Sequence, residues 1–550
     1  MVSATVLAQW LVVLTTVVEG HISYPFLSRQ KELVVRSVEK EKGSVDGTIV
    51  KRSSSGYEVV QLDGSGYYLN VTIGSARQEF EFAIDINMAD CWVVSPGMSN
   101  CSADDAMFPC SYVPAFNYTD SETFLNESST FNSTDPVLGT WAGYYGEDTL
   151  EFGSLVLYNQ SIALIEDGSD GLILTDGVLG VGYASLSGSR DVSGYRTVLG
   201  NLVDRRYTQS RLVAMAPPSN STNGTIIFGA VDTSAYEGPL YLLKTLPVEG
   251  QAAPLHPFVT LTGLTAENGG TSLNLSEATL SQGVPVLIDT TAGLSALPYT
   301  TIVELATQLN ALYSSDLDVW VQSCSLRNLS GTVNFRFQEA VIKVPIRDIL
   351  VPLYRGVDGS EEYTFENGEP ACALAFIDSE SVGYSVFGNT FLNSVYLVMD
   401  VDNYRVGLAQ ARTNSTGESN DTLSSDSTEK KSHHHHDKDH EDDEVTMVVA
   451  VTNVTDVSRA TVITPTTNIT VTISTPSANF SATGKGIPRI ALSNGEFITS
   501  KYGVVTVGPT VMPTNGTNHT STRSQAPIGC APNFMTFVFM FFACTLPLVV

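Results

Sequence analysis

Apolar and polar positions alternate in short bursts from Tyr57 to Ala411, each broken by Gly, Asn, Asp or Ser. Tyr67-Tyr68-Leu69-Asn70-Val71-Thr72-Ile73 and Phe80-Glu81-Phe82-Ala83-Ile84 are typical, with β-branched and aromatic residues recurring through each run. Such alternation puts one face of an extended strand into a core and the other outside it, so the pattern predicts a largely β structure. One window departs from it. From Ile302 to Ser314, apolar residues fall at helical spacing around Val303, Leu305, Leu309 and Leu312, which predicts a helix.

Beyond Arg412 the pattern fades. Residues 413–524 are rich in Ser, Thr and acidic side chains and carry Pro465, Pro476, Pro488, Pro509 and Pro513. This composition offers too little apolar surface to offset chain entropy, which predicts a disordered, O-glycosylated stalk. Within it, His433-His434-His435-His436 could ligate a transition metal. No fold is expected there to fix a geometry, so the run reads better as solvated linker, and no metal is assigned.

Both ends carry address signals. Val2 to Val18 is uncharged and mostly apolar, with Val18 and Gly20 suitably placed before a signal-peptidase cut, so residues 1–20 are read as a signal peptide. Residues 21–52 are rich in Lys and Glu and stop at Lys51-Arg52, as a prosegment removed by a dibasic-specific protease would; an exposed N-terminal arm is the alternative. Phe534 to Val550 is an apolar run without a following tail, preceded by a polar spacer and the small residues Asn515, Gly516, Ser521 and Ser524. That order marks residues 525–550 as a glycosylphosphatidylinositol (GPI) anchor signal, with a tail-anchored span as the alternative. The expected location is the extracellular face of the plasma membrane or the cell wall.

Composition narrows the function classes. With 29 Lys+Arg against 58 Asp+Glu the net charge is −29, and a nucleic-acid partner is excluded because phosphate binding needs clustered cations. Seven Cys suit a few bridges in a large secreted protein rather than a disulfide-dense scaffold. N-glycosylation sequons recur, and the glycosylation expected at Asn70, Asn117, Asn126, Asn132, Asn159, Asn220, Asn274 and Asn328 suits a surface glycoprotein.

The region of strands contains an approximate duplication. Ala83-Ile84-Asp85-Ile86-Asn87 is followed by Val178-Leu179-Gly180, and Leu287-Ile288-Asp289-Thr290-Thr291 by Val386-Phe387-Gly388. The Asp-to-Gly intervals are 180 − 85 = 95 and 388 − 289 = 99 residues. A lone Asp after a strand is usually a turn residue. Two in matching frames suggest paired carboxylates.

These passages resemble the pepsin-like aspartic proteases, and within them the fungal yapsin type. Support comes from Gly66-Tyr67-Tyr68-Leu69, Ala89-Asp90-Cys91-Trp92-Val93, Gly177-Val178-Leu179-Gly180, Ile226-Ile227-Phe228-Gly229 and Phe387-Gly388-Asn389-Thr390-Phe391-Leu392. The resemblance implies an all-β, bilobal fold, with lobes at 53–240 and 241–412 and a cleft between them. It implies a catalytic pair, Asp85 and Asp289, that acts on peptide or protein substrates through a shared proton and an activated water. No cofactor is needed, and a monomer is expected. It further implies disulfides Cys324–Cys372 and Cys101–Cys110, with Cys91 a free thiol on a core strand.

The catalytic loops depart from the family's Asp-Thr/Ser-Gly pattern. They read Asp85-Ile86-Asn87-Met88 and Asp289-Thr290-Thr291-Ala292, so Thr290 keeps a hydroxyl that Ile86 lacks. Asn87 and Thr291 put side chains where glycine would lie, and Met88 and Ala292 offer no hydroxyl to a carboxylate. Loop support is expected from Thr290, Asn87 and Thr291. At the flap, Asp135 falls near the usual tyrosine place, with Tyr144 and Tyr145 out of register. Three functions stay open on sequence alone: an acid aspartic endopeptidase, a catalytically impaired surface glycoprotein that binds peptide or glycan, and a structural mannoprotein whose stalk matters most.

Overall fold

In the computed structural model, residues 58–412 are described except 62–66, 99–113, 136–138, 169–174, 185–194, 218–223, 269–270, 276–279, 315–318, 356–360 and 366. Residues 22–23, 454–463, 469–473, 489–490 and 496–497 are also described. The expected signal peptide, Lys51-Arg52, Cys101–Cys110, Asn220, His433–His436 and the anchor signal all lie outside the described residues. Among those described, no helix is long and apolar enough to cross a membrane.

The first lobe is built on a seven-stranded sheet. Its strands run in the order Tyr68–Ile73, Gln78–Asp85, Gly177–Gly180, Cys91–Val94, Leu155–Gly168, Gly139–Phe152 and Leu125–Asp135. Pairing of Tyr68–Ile73 with Gly139–Phe152 curls this sheet back on itself. In the second lobe a five-stranded sheet runs Phe258–Leu261, Val284–Ile288, Ser385–Phe387, Ser295–Leu297 and Phe376–Asp378.

The duplication seen in the sequence is a repeated topology. In each lobe the strand that ends at or just before the aspartate lies parallel to a later strand, with Ile84 opposite Leu179 and Ile288 opposite Phe387. The strand after each aspartate then runs antiparallel to that same later strand, with Trp92 opposite Val178 and Ala296 opposite Val386. Strands buried on both faces explain the unbroken apolar runs, since Ala83-Ile84 and Leu287-Ile288 are almost wholly enclosed.

A third sheet joins the lobes. It runs Glu58–Gln61, Thr225–Phe228, Leu212–Ala216, Val395–Asp400, Arg405–Ala411, Tyr236–Lys244 and Thr461–Ile463. The expected lobe boundary at 240/241 falls inside its strand Tyr236–Lys244, because the connection is itself a strand rather than a linker.

One further expectation, the extent of the helix, is revised. The helix spans Tyr299–Gln308, after which Leu312–Ser314 is a strand. Asn310, at φ 53°, stops it: the Asn310 N–H bonds Thr307 O at 3.1 Å and the Ala311 N–H bonds Ala306 O at 2.8 Å. This closing arrangement caps the last carbonyls with a left-handed residue that Asn tolerates. Most of 413–524 lies outside the described residues; within it, Thr461–Ile463 pairs with the open edge of Tyr236–Lys244, and Val471 packs against the folded body.

The Cys324–Cys372 bridge is formed, with a Cα–Cα distance of 5.0 Å, and Cys91 is a buried free thiol. Among the sequon asparagines, Asn70, Asn126, Asn132, Asn159, Asn274 and Asn328 are exposed. Asn117 is half-buried and its Nδ2 donates to Asp120 Oδ2 at 2.8 Å.

Candidate active site

Asp85 closes the strand Gln78–Asp85 and Asp289 follows Val284–Ile288; both are fully buried. Each is held to the later strand of its own lobe. Val181 N–H donates to Asp85 O at 2.9 Å, and Asp289 N–H donates to Phe387 O at 3.0 Å. The repeated glycines let the loops lie flat on those strands. A Cβ on Gly388 would meet Ala292 O at 2.1 Å, and one on Gly180 would meet Asp90 O at 2.4 Å. Neither neighbour is a flexible side chain, so no larger residue fits without moving the loop that follows the aspartate.

The two loops meet across the lobes. Thr290 Oγ1 donates to Ile84 O at 2.6 Å and accepts from Ile86 N at 3.4 Å. From the other side, Asn87 Nδ2 donates to Ile288 O at 3.1 Å, leaving its buried Oδ1 without a partner among the described residues. The acceptors, Ile84 and Ile288, are the residues immediately before the two aspartates. The two loops are therefore pinned by one side chain from each lobe, Thr290 and Asn87, bonded to the other.

This arrangement shows what the altered loop residues bond to. Ile86 lacks a hydroxyl, but the amide one residue on, at Asn87, makes the cross-lobe bond. Ala292 lacks a hydroxyl, but Thr291 Oγ1 donates to Asp289 Oδ1 at 2.7 Å. The same oxygen also accepts Thr291 N–H at 2.8 Å and Ala292 N–H at 3.1 Å. On the first loop, Asn87 N–H donates to Asp85 Oδ1 at 2.6 Å. The side chains that replace glycine thus take over bonds lost at neighbouring positions. Met88 has no such substitute and is packed in an apolar cluster with Trp92 and Val94.

Behind the first loop lies a network that sequence reasoning missed. Asp90 is fully buried, and Tyr145 OH donates to its Oδ1 at 3.0 Å. Tyr195 OH accepts Cys91 N–H at 2.9 Å. Burial, then the Asp90 charge, raises the Cys91 thiol and the Tyr195 hydroxyl well above their ordinary values, so both stay protonated. Only the long separations, 55 residues for Asp90–Tyr145, hide this cluster from a linear reading.

The flap is the hairpin of Leu125–Asp135 and Gly139–Phe152, whose tip lies outside the described residues. Of the two nearby tyrosines, Tyr145 points inward to Asp90, and Tyr144 packs beside Tyr118 with ring centroids 6.4 Å apart. Burial, with Tyr118 beside it, pushes the Tyr144 hydroxyl up to about 12. On this hairpin Trp141 lies against Trp92, ring centroids 5.5 Å apart, and neither buried indole N–H has a partner among the described residues. Among those residues, no group of three or more His, Cys, Asp or Glu could hold a metal ion.

Two topologically equivalent lobes, each setting one buried aspartate at the contact between them, define an aspartic protease architecture. The family profile described as eukaryotic aspartyl protease matches residues 66–411, and the chain belongs to that family. It is 29% identical over 403 residues to aspartic proteinase yapsin-3 of Saccharomyces cerevisiae, covering 70% of this chain and 74% of that protein. It is 26% identical over 360 residues to the probable aspartic-type endopeptidase opsB of Aspergillus oryzae, covering 64% of this chain and 70% of that protein. Against aspartic proteinase yapsin-7 of Saccharomyces cerevisiae it is 26% identical over 402 residues, covering 65% and 64%.

Proposed function

We propose that this protein is an acid aspartic endopeptidase of the cell surface, with Asp85 and Asp289 as the catalytic pair. The observation that carries the reading is the reciprocal bonding of Thr290 to Ile84 and of Asn87 to Ile288, which fixes the two loops against one another despite their altered residues. A chain that no longer needed a positioned pair would have no use for compensating bonds on both sides.

Two buried carboxylates held together cannot both ionise cheaply, so they share one proton and titrate as a unit. The ionised member takes a proton from water, which attacks the peptide carbonyl. The protonated member hydrogen-bonds the carbonyl oxygen as negative charge builds there. A proton then passes to the leaving nitrogen as the carbon–nitrogen bond breaks. Thr291 and the backbone N–H groups of Thr291 and Ala292 orient Asp289, while Asn87 N–H orients Asp85. The substrates are peptides or proteins.

The address signals at the ends of the sequence support transit through the secretory pathway, removal of residues 21–52 and attachment by a GPI lipid. The exposed sequon asparagines support glycosylation there.

The test uses the secreted chain without residues 525–550, matured after Lys51-Arg52 and assayed on mixed peptides from pH 3 to 7. Cleavage with a bell-shaped acid optimum, abolished in both Asp85→Asn and Asp289→Asn, is expected. Undiminished cleavage by either Asn variant, or none by the folded wild type, overturns the assignment.

A further inference from the structure

Beyond Arg412, the next described residues begin at Val454, and they pack on the folded body. From there the chain touches three separate apolar clusters. Val454–Thr455 pairs antiparallel with Val231–Asp232, and Val457 and Ala460 pack on the cluster that includes Leu240, Tyr396 and Val398. Thr461–Ile463 then adds a parallel strand to the outer edge of Tyr236–Lys244, with Leu243 opposite Ile463. Ile463, 6% exposed, enters the main core. Farther on, Val471, 1% exposed, enters the second-lobe cluster that contains Leu287 and Ala292, with Ile469 packed alongside.

Backbone bonds fix this last contact. Val471 N–H donates to Pro247 O at 3.0 Å, and Glu249 N–H donates to Val471 O at 2.8 Å. Thr472 Oγ1 adds a bond to Glu249 Oε2 at 3.2 Å. Eight residues beyond Glu249, the Pro257 carbonyl accepts Ile288 N–H at 3.2 Å, one residue before Asp289.

Without the tail, the edge of Tyr236–Lys244 would present unpaired N–H and C=O groups, the surface on which strands of other chains add. With it, the edge is closed by a strand whose side chains sort by burial: Ile463 inward, Val462 outward at 48% exposure. Chance collapse of a Ser/Thr-rich tail would not supply matched backbone pairing and two enclosed apolar side chains, Ile463 and Val471.

We propose that residues 454–463 and 469–473 act as a strap that clips the C-terminal tail to the protease body without a covalent bond. The docking surface is the edge of Tyr236–Lys244 together with the turn at Pro247–Gly250, and its occupant is this chain's own tail. The body therefore stays attached to the tail when the connector, residues 413–453, is cut. The inference does not depend on the site being active.

The experiment inserts a tobacco-etch-virus protease site within residues 413–453 of the secreted chain, cuts it, and follows both fragments by size-exclusion chromatography at micromolar concentration. Co-elution of body and tail is expected. Val462→Asp, on the outward face, should leave it unchanged, whereas Ile463→Asp with Val471→Asp should weaken the association at least 100-fold. Separation of the wild-type fragments overturns the proposal. A measurement on the uncut, unsubstituted chain covers the case of a variant that misfolds. In hydrogen exchange the amide of Val471 should be protected; exchange at the rate of a free peptide overturns the strap.

Discussion

Asn87 Nδ2 reaches across the lobes to the carbonyl of Ile288, 3.1 Å away and 201 residues later in the chain. It stands opposite the Thr290–Ile84 bond and completes a pair of contacts around the two aspartates. Removing it should leave substrate contacts intact but loosen the distance between the carboxylates. Asn87→Ala is expected to lower kcat by about 10- to 100-fold with KM within about twofold, since small displacements of reacting groups cost heavily. Ile86→Thr in the same background should restore much of the loss by supplying a hydroxyl one residue earlier. Steady-state kinetics checks both, and equal falls in both variants would show that Asn87 acts by folding alone.

Thr291 gives Asp289 Oδ1 both a hydroxyl and a backbone N–H. Donors to the ionised form hold a carboxylate's pKa down. Thr291→Val keeps the N–H and the shape but removes the hydroxyl, so the acid limb of the kcat/KM profile should move up by about one pH unit. Thr291→Ser should leave that limb in place. An unmoved limb in the Val variant would mean that the hydroxyl does not support the ionised pair.

Stability should rise on acidification. Burial raises Asp348 and Asp400 above the ordinary 3.8, and burial with Glu147 nearby raises Glu127 above 4.5. Each group keeps its proton in the folded state at a pH where the unfolded chain has lost it. The folded state therefore binds more protons, and stability falls as pH climbs from the unfolded value through the folded one. The net charge of −29 adds self-repulsion at neutral pH. Glu267, lowered by Asn334 and Lys343, pulls the other way but sits on the exposed surface. Thermal melting should give a higher Tm at about pH 4.5 than at about pH 7.5, and Asp400→Asn should flatten part of that difference.

The Cys324–Cys372 bridge closes a segment with a sequence separation of 48. On loop-entropy grounds its removal should cost about 4 kcal/mol. Urea unfolding of the Cys324→Ala, Cys372→Ala double variant checks this, with the midpoint expected to fall and the catalytic loops, which lie on other strands, to retain their pH profile. A shifted profile would tie the bridge to the site as well as to stability.

Much of the fold was legible because it is written twice. The Asp-to-Gly intervals mark equivalent strand pairs, and alternating apolar runs mark their buried faces, so two equivalent β lobes and the acids at their contact follow from local pattern. The helix at Tyr299–Gln308 was visible, but its end was not, since Asn310 stops it through backbone conformation rather than hydropathy. Residues 454–473 look like the rest of a polar tail, because nothing local distinguishes Ile463 or Val471 from scattered apolar residues until an open sheet edge meets them.

By itself, the sequence determined the family and the two-lobed β fold, and it singled out two aspartates in matching frames, since these depend on residue types recurring at fixed intervals. Only the tertiary structure decided how the altered loops are held. Whether Asn87 blocks the site or braces it depends on where the carbonyl of Ile288 lies, and whether Thr291 crowds Asp289 or hydrogen-bonds it depends on a rotamer. Both are questions of distances between atoms remote along the chain or turned within a loop, and a linear order of residues does not contain them.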